Sequence, residues 1–481
     1  MSLLVIDVGT SGVRAAAVRP DATVGVEYHV EVLPDSPMAG LIEFDPTAMA
    51  AAALDAARRV LAESGPVDAV GIANQRASTI VWDRTTGEPV GPGLGWQDLR
   101  TVGECLALQA RDIYVAPNHT ATKAAALLDQ ADPDRVRDLC VGTVDSWIVW
   151  HLTAGALHVT DTTNASVTGM LQQDGRSWDQ RVLAALRIPA GSMPEIVAST
   201  GAVGEATALD GAPSIAGIAG DQQASLIGQG CVQSGLTKIT FGTGGMLDRC
   251  VGRTRPSFDR RGPGGTFPLV AWDDGDLTWG IEAVMLSAGT NVEWLRDDLG
   301  LIDDAADSHA VAAACDDSDG VMFVPSLLGL GTPRWDYGAR GTLLGITRGT
   351  NRSHVVRAVL EGVAQRAADL VDAAETDSDG PIDSLRVDGG MTENATFVQA
   401  VADATGRPVE VAPVLEATTL GAAFLAGMAV GTWDGWDDVA ATWAPTEIVR
   451  PERTLDRDRW QDAVERAAGW EEGLSGIDFA D

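Results

Sequence analysis

The sequence predicts an α/β protein built as two related lobes facing a shared cleft, and three observations carry that expectation. At 481 residues the chain exceeds one comfortable hydrophobic core. Each half contains a strand, a tight Gly/Thr turn and a returning strand: residues 3–6 and 13–18 flank Asp7-Val8-Gly9-Thr10-Ser11-Gly12, and residues 236–241 and 246–251 flank Gly242-Thr243-Gly244-Gly245. Between these units lies Gly217-Ile218-Ala219-Gly220-Asp221-Gln222-Gln223, and Asp221 is the only charged residue between Asp210 and Lys238 in a chain with 21% charged residues. A carboxylate set in Gly-rich apolar sequence loses hydration on folding, so it must be paired, hydrogen-bonded, used as a cap or used in chemistry.

In chain order, the first turn links strand to strand, whereas a dinucleotide fingerprint or Walker loop would open a helix. Its backbone N–H groups and hydroxyls can form a concave nest for phosphate oxygens, with Asp7 at the strand end able to hold Mg²⁺. The same residues also suit an ordinary hairpin. Asp45-Pro46 starts a helix reaching about residue 63, before Gly65-Pro66. Residues 67–72 read as a buried strand ending in Asn74-Gln75-Arg76, where polar side chains can line a cleft. Arg76 suits a polyhydroxylated ligand or a surface ion pair. Trp96 follows a Gly/Pro-rich loop and suits a packing anchor or a flat wall for the C–H faces of a sugar.

In the second half, residues 253–276 read as a loop excursion. Ser287-Ala288-Gly289-Thr290 leads into a helix, and Ser353 is expected to cap a long amphipathic one with Val355, Val356, Val359, Leu360, Val363 and Leu370 in its core stripe. Val387-Asp388-Gly389-Gly390 ends a strand, and its paired glycines allow close approach of a ligand. A helix is expected over residues 394–404, another over 419–428, and a charged tail with a peripheral helix after Trp433.

A formal charge of −34, with Lys123 and Lys238 the only lysines, opposes binding to nucleic acid and anionic lipid. No window supplies the ~20 apolar residues of a membrane span. The opening run has neither a basic region nor a cleavage site, so a cytoplasmic setting is expected. The five cysteines are scattered and read as buried free thiols.

Taken together, Asp7-x-Gly9-Thr10-x-x-x-Arg14, Gly71-Ile72-x-Asn74-Gln75-Arg76, Gly142-Thr143-Val144-Asp145-x-Trp147, the Asp221 segment, Gly242-Thr243-Gly244, Gly329-Leu330-Gly331, Arg340-Gly341 and Val387-Asp388-Gly389-Gly390 resemble the FGGY family of carbohydrate kinases, and within it the glycerol kinases. The resemblance covers almost the whole chain. It implies two actin-like ATPase domains of the ribonuclease H type, over residues 1–230 and 231–481, with sugar and ATP meeting in the interdomain cleft. It further implies Asp221 as general base and Asp7 as a Mg²⁺ contact. Thr10, Ser11, Gly12, Arg14, Gly242, Thr243, Gly289, Gly390 and Asn394 would form the nucleotide site, and relatives suggest a homodimer or homotetramer.

The substrate wall implied by the resemblance is Arg76, Ala77, Trp96, Asn118, Asp221, Gln222 and Met246. Glycerol kinases carry glutamate after the arginine, where this chain has Ala77. A pocket tyrosine aligns with Asn118 and a phenylalanine with Met246. These departures point to glycerol or a larger substrate, such as a tetritol, pentitol or ketopentose. A pentulose or pentitol kinase of the xylulokinase type is the alternative within the family. An actin- or chaperone-like ATPase without a sugar substrate is the rival from another class.

Overall fold

The computed structural model describes residues 2–413 and 416–480. The expected first hairpin forms from Ser2–Val8 and Gly12–Val18, paired antiparallel with Asp7 opposite Arg14. The Ser2–Val8 strand is apolar on both faces because both are covered. Leu4, Ile6 and Val8 join one core, while Leu3 and Val5 join another. Val24–Glu31 extends the sheet on one side, and the parallel strands Val67–Asn74 and Ser214–Gly220 extend it on the other, with Thr200–Glu205 at the edge. Helix Pro46–Ser64 begins as expected, Asp45 capping the N–H groups of Thr47 and Ala48.

The second sheet repeats the plan. Thr237–Phe241 pairs antiparallel with Gly245–Gly252, which pairs with Leu277–Met285, and Leu385–Asp388 then Val409–Val411 add in parallel. The two sheets share a core in which three antiparallel strands are followed by two parallel ones. The duplication inferred from two turns therefore extends to whole sheets, giving the mixed α/β, two-lobed actin-like architecture.

Several local expectations are corrected. Residues 253–276 are not all loop, since Phe267–Asp273 forms an edge strand against Leu277–Met285. Its buried Leu269, Val270, Ala271 and Trp272 override the turn signal of the glycines before it. Helix Arg352–Asp377 is capped by Asn351 rather than Ser353, in a capping box closed by His354. The tail holds the strand Glu447–Val449 and three helices, of which Arg457–Ala467 buries Trp460, Ala463 and Val464. Among the five free cysteines, Cys315 is only half-buried.

Between the sheets lie two helices that set the cleft. Asp221–Gly228 continues directly from the strand Ser214–Gly220, and Ala417–Val430 returns from the second half to cover the first sheet. They cross at glycine. A Cβ on Gly228 would stand 1.8 Å from the Ala417 carbonyl oxygen, and one on Gly421 1.8 Å from that of Ala224. Backbone contact this close excludes any side chain, so Gly421→Ala is expected to cost about 2–3 kcal/mol through forced separation of the helices. Denaturant unfolding monitored by circular dichroism measures it; wild-type stability would show the crossing to be loose.

Candidate active site

Asp221 is the first residue of the inter-sheet helix, where strand meets helix and the backbone turns across the cleft. Its Oδ1 accepts from the Gln222 N–H at 2.8 Å and lies 3.3 Å from Arg76 Nε. Burial raises its pKa, opposed first by the Arg76 guanidinium and then by the Gln222 N–H. Asp7 shares this environment. Its carboxyl is pushed up to about 7 by burial and by the nearby Asp221 charge, with Arg14 opposing. The acid that stands alone between Asp210 and Lys238 thus sits close to the first turn, at the end of the first sheet.

The wall of the first lobe is tied together by hydrogen bonds. Gln75 N–H donates to Val8 O at 2.8 Å and Gln75 Nε2 to Gly9 O at 3.1 Å, which joins the Asn-Gln-Arg segment to the first turn. Ala77 follows with φ 59°, a left-handed conformation that costs an L-residue energy and turns the chain sharply after Arg76. Trp96 bridges two parts of the wall, its backbone N–H donating to Ser78 Oγ at 3.0 Å and its indole Nε1 to Thr10 Oγ1 at 3.3 Å. The fully buried Lys123 donates to the carbonyls of Gly95 and Asn118, both at 3.1 Å, drawing the Trp96 and Asn118 segments together. Burial pulls its pKa down to about 7. Asn118 itself is exposed.

The second lobe presents a charged face, and strand register explains it. Lys238 stands opposite Asp248 on one side and Arg386 on the other, and Asp248 stands opposite Glu282. One row across four strands therefore reads Arg386, Lys238, Asp248, Glu282. The adjacent row reads Asp388, Thr240, Met246, Val284. Residues of the opposite parity, Ile239, Phe241, Leu247, Ile281, Ala283 and Val387, form the core beneath. The charges pair across the cleft and along the row. Lys238 Nζ lies 2.7 Å from Asp248 Oδ2 and donates to Gln222 Oε1 at 2.7 Å and to Thr240 Oγ1 at 2.9 Å. Arg76 Nη1 lies 2.7 Å from Glu282 Oε2. Burial raises the Glu282 carboxyl, with Arg76 opposing.

Arg76 is thus no surface ion pair. It reaches across from one lobe to the other and touches both Asp221 and Glu282. Gln222 and Met246 are half-buried.

The two Gly/Thr turns form as tight bends. Gly9 N–H donates to Gly12 O at 2.9 Å, leaving Thr10 and Ser11 at the tip, and Arg14 is ion-paired with Glu416. In the second turn, Gly289 N–H donates to Gly242 O at 2.9 Å and Ala288 N–H to Thr243 O at 2.8 Å. Gly389 has φ 92°, and a Cβ there would meet Phe241 O at 2.4 Å, so the Gly389-Gly390 bend lies against the second turn. Asn394 is the outlier. Its Oδ1 accepts from Phe397 N–H as a helix cap and its Nδ2 donates to Ser308 Oγ at 2.9 Å, so its amide is already engaged.

Sequence reading missed Lys238, Asp248 and Glu282 as parts of this site. The signal was present: Glu282 is a lone acid in Gly280-Ile281-Glu282-Ala283-Val284, the same pattern that singled out Asp221. Among the described residues there is no cluster of three or more His, Cys, Asp or Glu side chains able to hold a metal, and no helix long and apolar enough to cross a membrane.

Residues 2–228 match the N-terminal domain of the FGGY family of carbohydrate kinases and residues 238–430 its C-terminal domain. A glycerol kinase of Aromatoleum aromaticum is 41% identical over 494 residues, covering 97% of this chain and 99% of the relative. One from Halorhodospira halophila is 40% identical, covering 98% of each. Among solved structures, Plasmodium falciparum glycerol kinase with ADP superposes with TM-score 0.88 at 27% identity, over 99% of this chain and 98% of that one. A ligand-bound xylulose kinase of Lactobacillus acidophilus shares the fold, with TM-score 0.84 at 20% identity over 99% and 98% of the two chains. Both family domains in order and whole-length relatives place this chain in the FGGY family of carbohydrate kinases, as an ATP-dependent kinase.

Proposed function

We propose that the protein transfers the γ-phosphoryl group of ATP to a terminal hydroxyl of a small polyol or sugar of at least glycerol size, with four or five carbons preferred. The observation that carries this reading is the placement of Asp221, at the start of the inter-sheet helix and in electrostatic contact with both Asp7 and Arg76. In this reading Asp221 accepts the proton of the substrate hydroxyl while its oxygen attacks the γ-phosphorus in line. Arg76, Ala77, Trp96, Asn118, Gln222 and Met246 form the substrate wall. Thr10, Ser11, Gly12, Arg14, Gly242, Thr243, Gly289, Gly390 and Asn394 surround the nucleotide, Asn394 by bracing the wall through Ser308. Backbone N–H groups of the two turns offset charge on the transferring group, and closure of the lobes excludes water.

Asp7 fits a Mg²⁺ contact. Its carboxyl faces a second acid, and that mutual repulsion is relieved by a divalent cation, which characteristically takes one or two carboxylates together with nucleotide phosphates. The ion supplies charge neutralisation of the phosphates. The division into lobes at residues 1–230 and 231–481 belongs to the same reading, as do a cytoplasmic setting and assembly into a homodimer or homotetramer.

Substrate size is argued from volume and charge removed. Ala77, Asn118 and Met246 stand where larger groups occupy the resembling glycerol sites, and a site loses discrimination with the groups that hydrogen-bond the substrate. A coupled ADP-release assay across glycerol, erythritol, xylitol, xylulose and ribulose should give a higher kcat/KM for a four- or five-carbon compound. A clear preference for glycerol defeats the larger substrate.

A further inference from the structure

The segment Gly142-Thr143-Val144-Asp145-x-Trp147 takes no part in either wall of the cleft, yet the chain just after it carries a buried acid two hydrogen bonds from the residue before Asp221. That acid is Asp161, which ends the strand Val159–Asp161 and caps the short helix Thr162–Ser166. Its Oδ1 accepts from Thr163 Oγ1 at 2.8 Å, Asn164 N–H at 2.9 Å and Asn164 Nδ2 at 3.0 Å. Its Oδ2 accepts from Thr163 N–H at 3.0 Å and Ser199 Oγ at 2.7 Å. Every one of these donors is neutral. Burial raises the Asp161 carboxyl, and the hydrogen bonds oppose it. Asp145, fully buried and hydrogen-bonded by Thr143 and Thr160, accepts from the Asp161 N–H at 3.2 Å and so holds the strand end in place.

An ionised carboxylate only accepts, so the Thr163 hydroxyl gives its hydrogen to Asp161 and meets its other neighbour with a lone pair. That neighbour is the Gly220 N–H, at 2.8 Å. Gly220 immediately precedes Asp221 and stands opposite Asn74 in the sheet. A Cβ on Gly220 would meet Arg76 Cγ at 2.6 Å and Cδ at 2.7 Å, so the stem of Arg76 lies against the same residue. Asn164 forms a second arm. Its Nδ2 donates to Asp161 and, at 3.0 Å, to Asn74 Oδ1, which leaves its Oδ1 to accept from Asn74 Nδ2 at 2.8 Å. Asn74 lies two residues before Arg76. The backbone carrying Asp221 and the backbone leading to Arg76 are thus both tied to Asp161.

We infer, resting on the reading of Asp221 as general base, that Thr163, oriented by Asp161, is a positioning residue that fixes the direction in which the Asp221 carboxylate meets the substrate hydroxyl. A side chain keeps a productive geometry only when the peptide that carries it is held, and here a hydroxyl from a separate element holds the peptide entering Asp221. Removing that hydroxyl takes an acceptor from the Gly220 N–H and lets the strand-to-helix junction turn. Misplacing a reacting group by about 1 Å can cost about 10²-fold in rate, and loosening one of the junction's anchors is expected to cost about tenfold in kcat. Substrate and nucleotide contacts lie on other residues, so KM should change little.

The test uses the full-length enzyme with MgATP and whichever of glycerol, erythritol, xylitol, xylulose and ribulose it uses best, read by ADP release. Thr163→Val, which keeps the shape and removes the hydroxyl, should lower kcat about tenfold with both KM values within about threefold of wild type, and Thr163→Ser should restore most of the loss. Thr163→Ala serves as a second variant without the hydroxyl, and circular dichroism gives the folded fraction of each. A residue acting through Asp221 has nothing further to lose once that base is gone. Adding Thr163→Val to Asp221→Asn should therefore change turnover by less than about twofold, whereas an independent structural role would multiply the two losses. Wild-type kcat in the folded variants lacking the hydroxyl, no recovery in Thr163→Ser, or multiplied losses in the double variant overturns the positioning role and leaves Asp221 as base. Near-normal turnover in Asp221→Asn, or no ADP release by the wild type with any of the five compounds, overturns both.

Discussion

Asp221→Asn is expected to retain nucleotide binding and to lose at least about 10²-fold in turnover, the low end for removing a general base. The substitution keeps shape and, at the oxygen, the ability to accept from the Gln222 N–H, but it removes the basic lone pair and the charge that Arg76 faces at 3.3 Å. The fold should survive, because Arg76 keeps its partner Glu282 at 2.7 Å. Steady-state kinetics with a nucleotide-binding titration separate the two effects, and near-normal turnover would remove Asp221 from its role. The wild-type profile carries a related sign. Burial raises the Asp221 carboxyl, and only its ionised form accepts a proton, so kcat/KM should fall with decreasing pH at a point above the ordinary aspartate range.

Lys238→Met should be the most destabilising of the single changes considered, by about 3–5 kcal/mol, because it strands Asp248 in a buried row already containing Glu282. The desolvation of Lys238 is offset by Asp248, Gln222 Oε1 and Thr240 Oγ1 together, and removing the cation leaves these acceptors facing one another without it. The double variant Lys238→Met with Asp248→Leu should recover much of the loss, since replacing both members of a buried pair by apolar groups of similar volume is often neutral. Denaturant unfolding of the two variants makes the comparison. A single variant within about 0.5 kcal/mol of wild type, the range of ordinary surface substitutions, would show the row to be solvated.

The elements that could be read from the chain are those whose signals are local. The Gly/Thr turns, the Asp45-Pro46 helix start and the apolar stripe of Arg352–Asp377 depend on residues a few positions apart, and all form as expected. The isolation of Asp221 was likewise local, and the structure puts it at the junction of strand and helix facing the cleft. The strand Phe267–Asp273 was hidden because an edge strand beside Arg-Arg-Gly-Pro-Gly-Gly is recognised only through its partner Leu277–Met285. The second-lobe half of the site was hidden for the same reason.

Sequence alone determined the family, the duplicated turn, and the residue types that could do acid–base and phosphate chemistry, because each is encoded in short contiguous motifs. Tertiary structure alone decided that Lys238, Asp248 and Glu282 fall in one row against Gln222 and Arg76. It brings Arg76 and Glu282, 206 positions apart in the chain, into contact, and the alignment depends on strand register and on two helices crossing at glycine. Register and helix approach are set by the packing of whole sheets, so no single segment carries them.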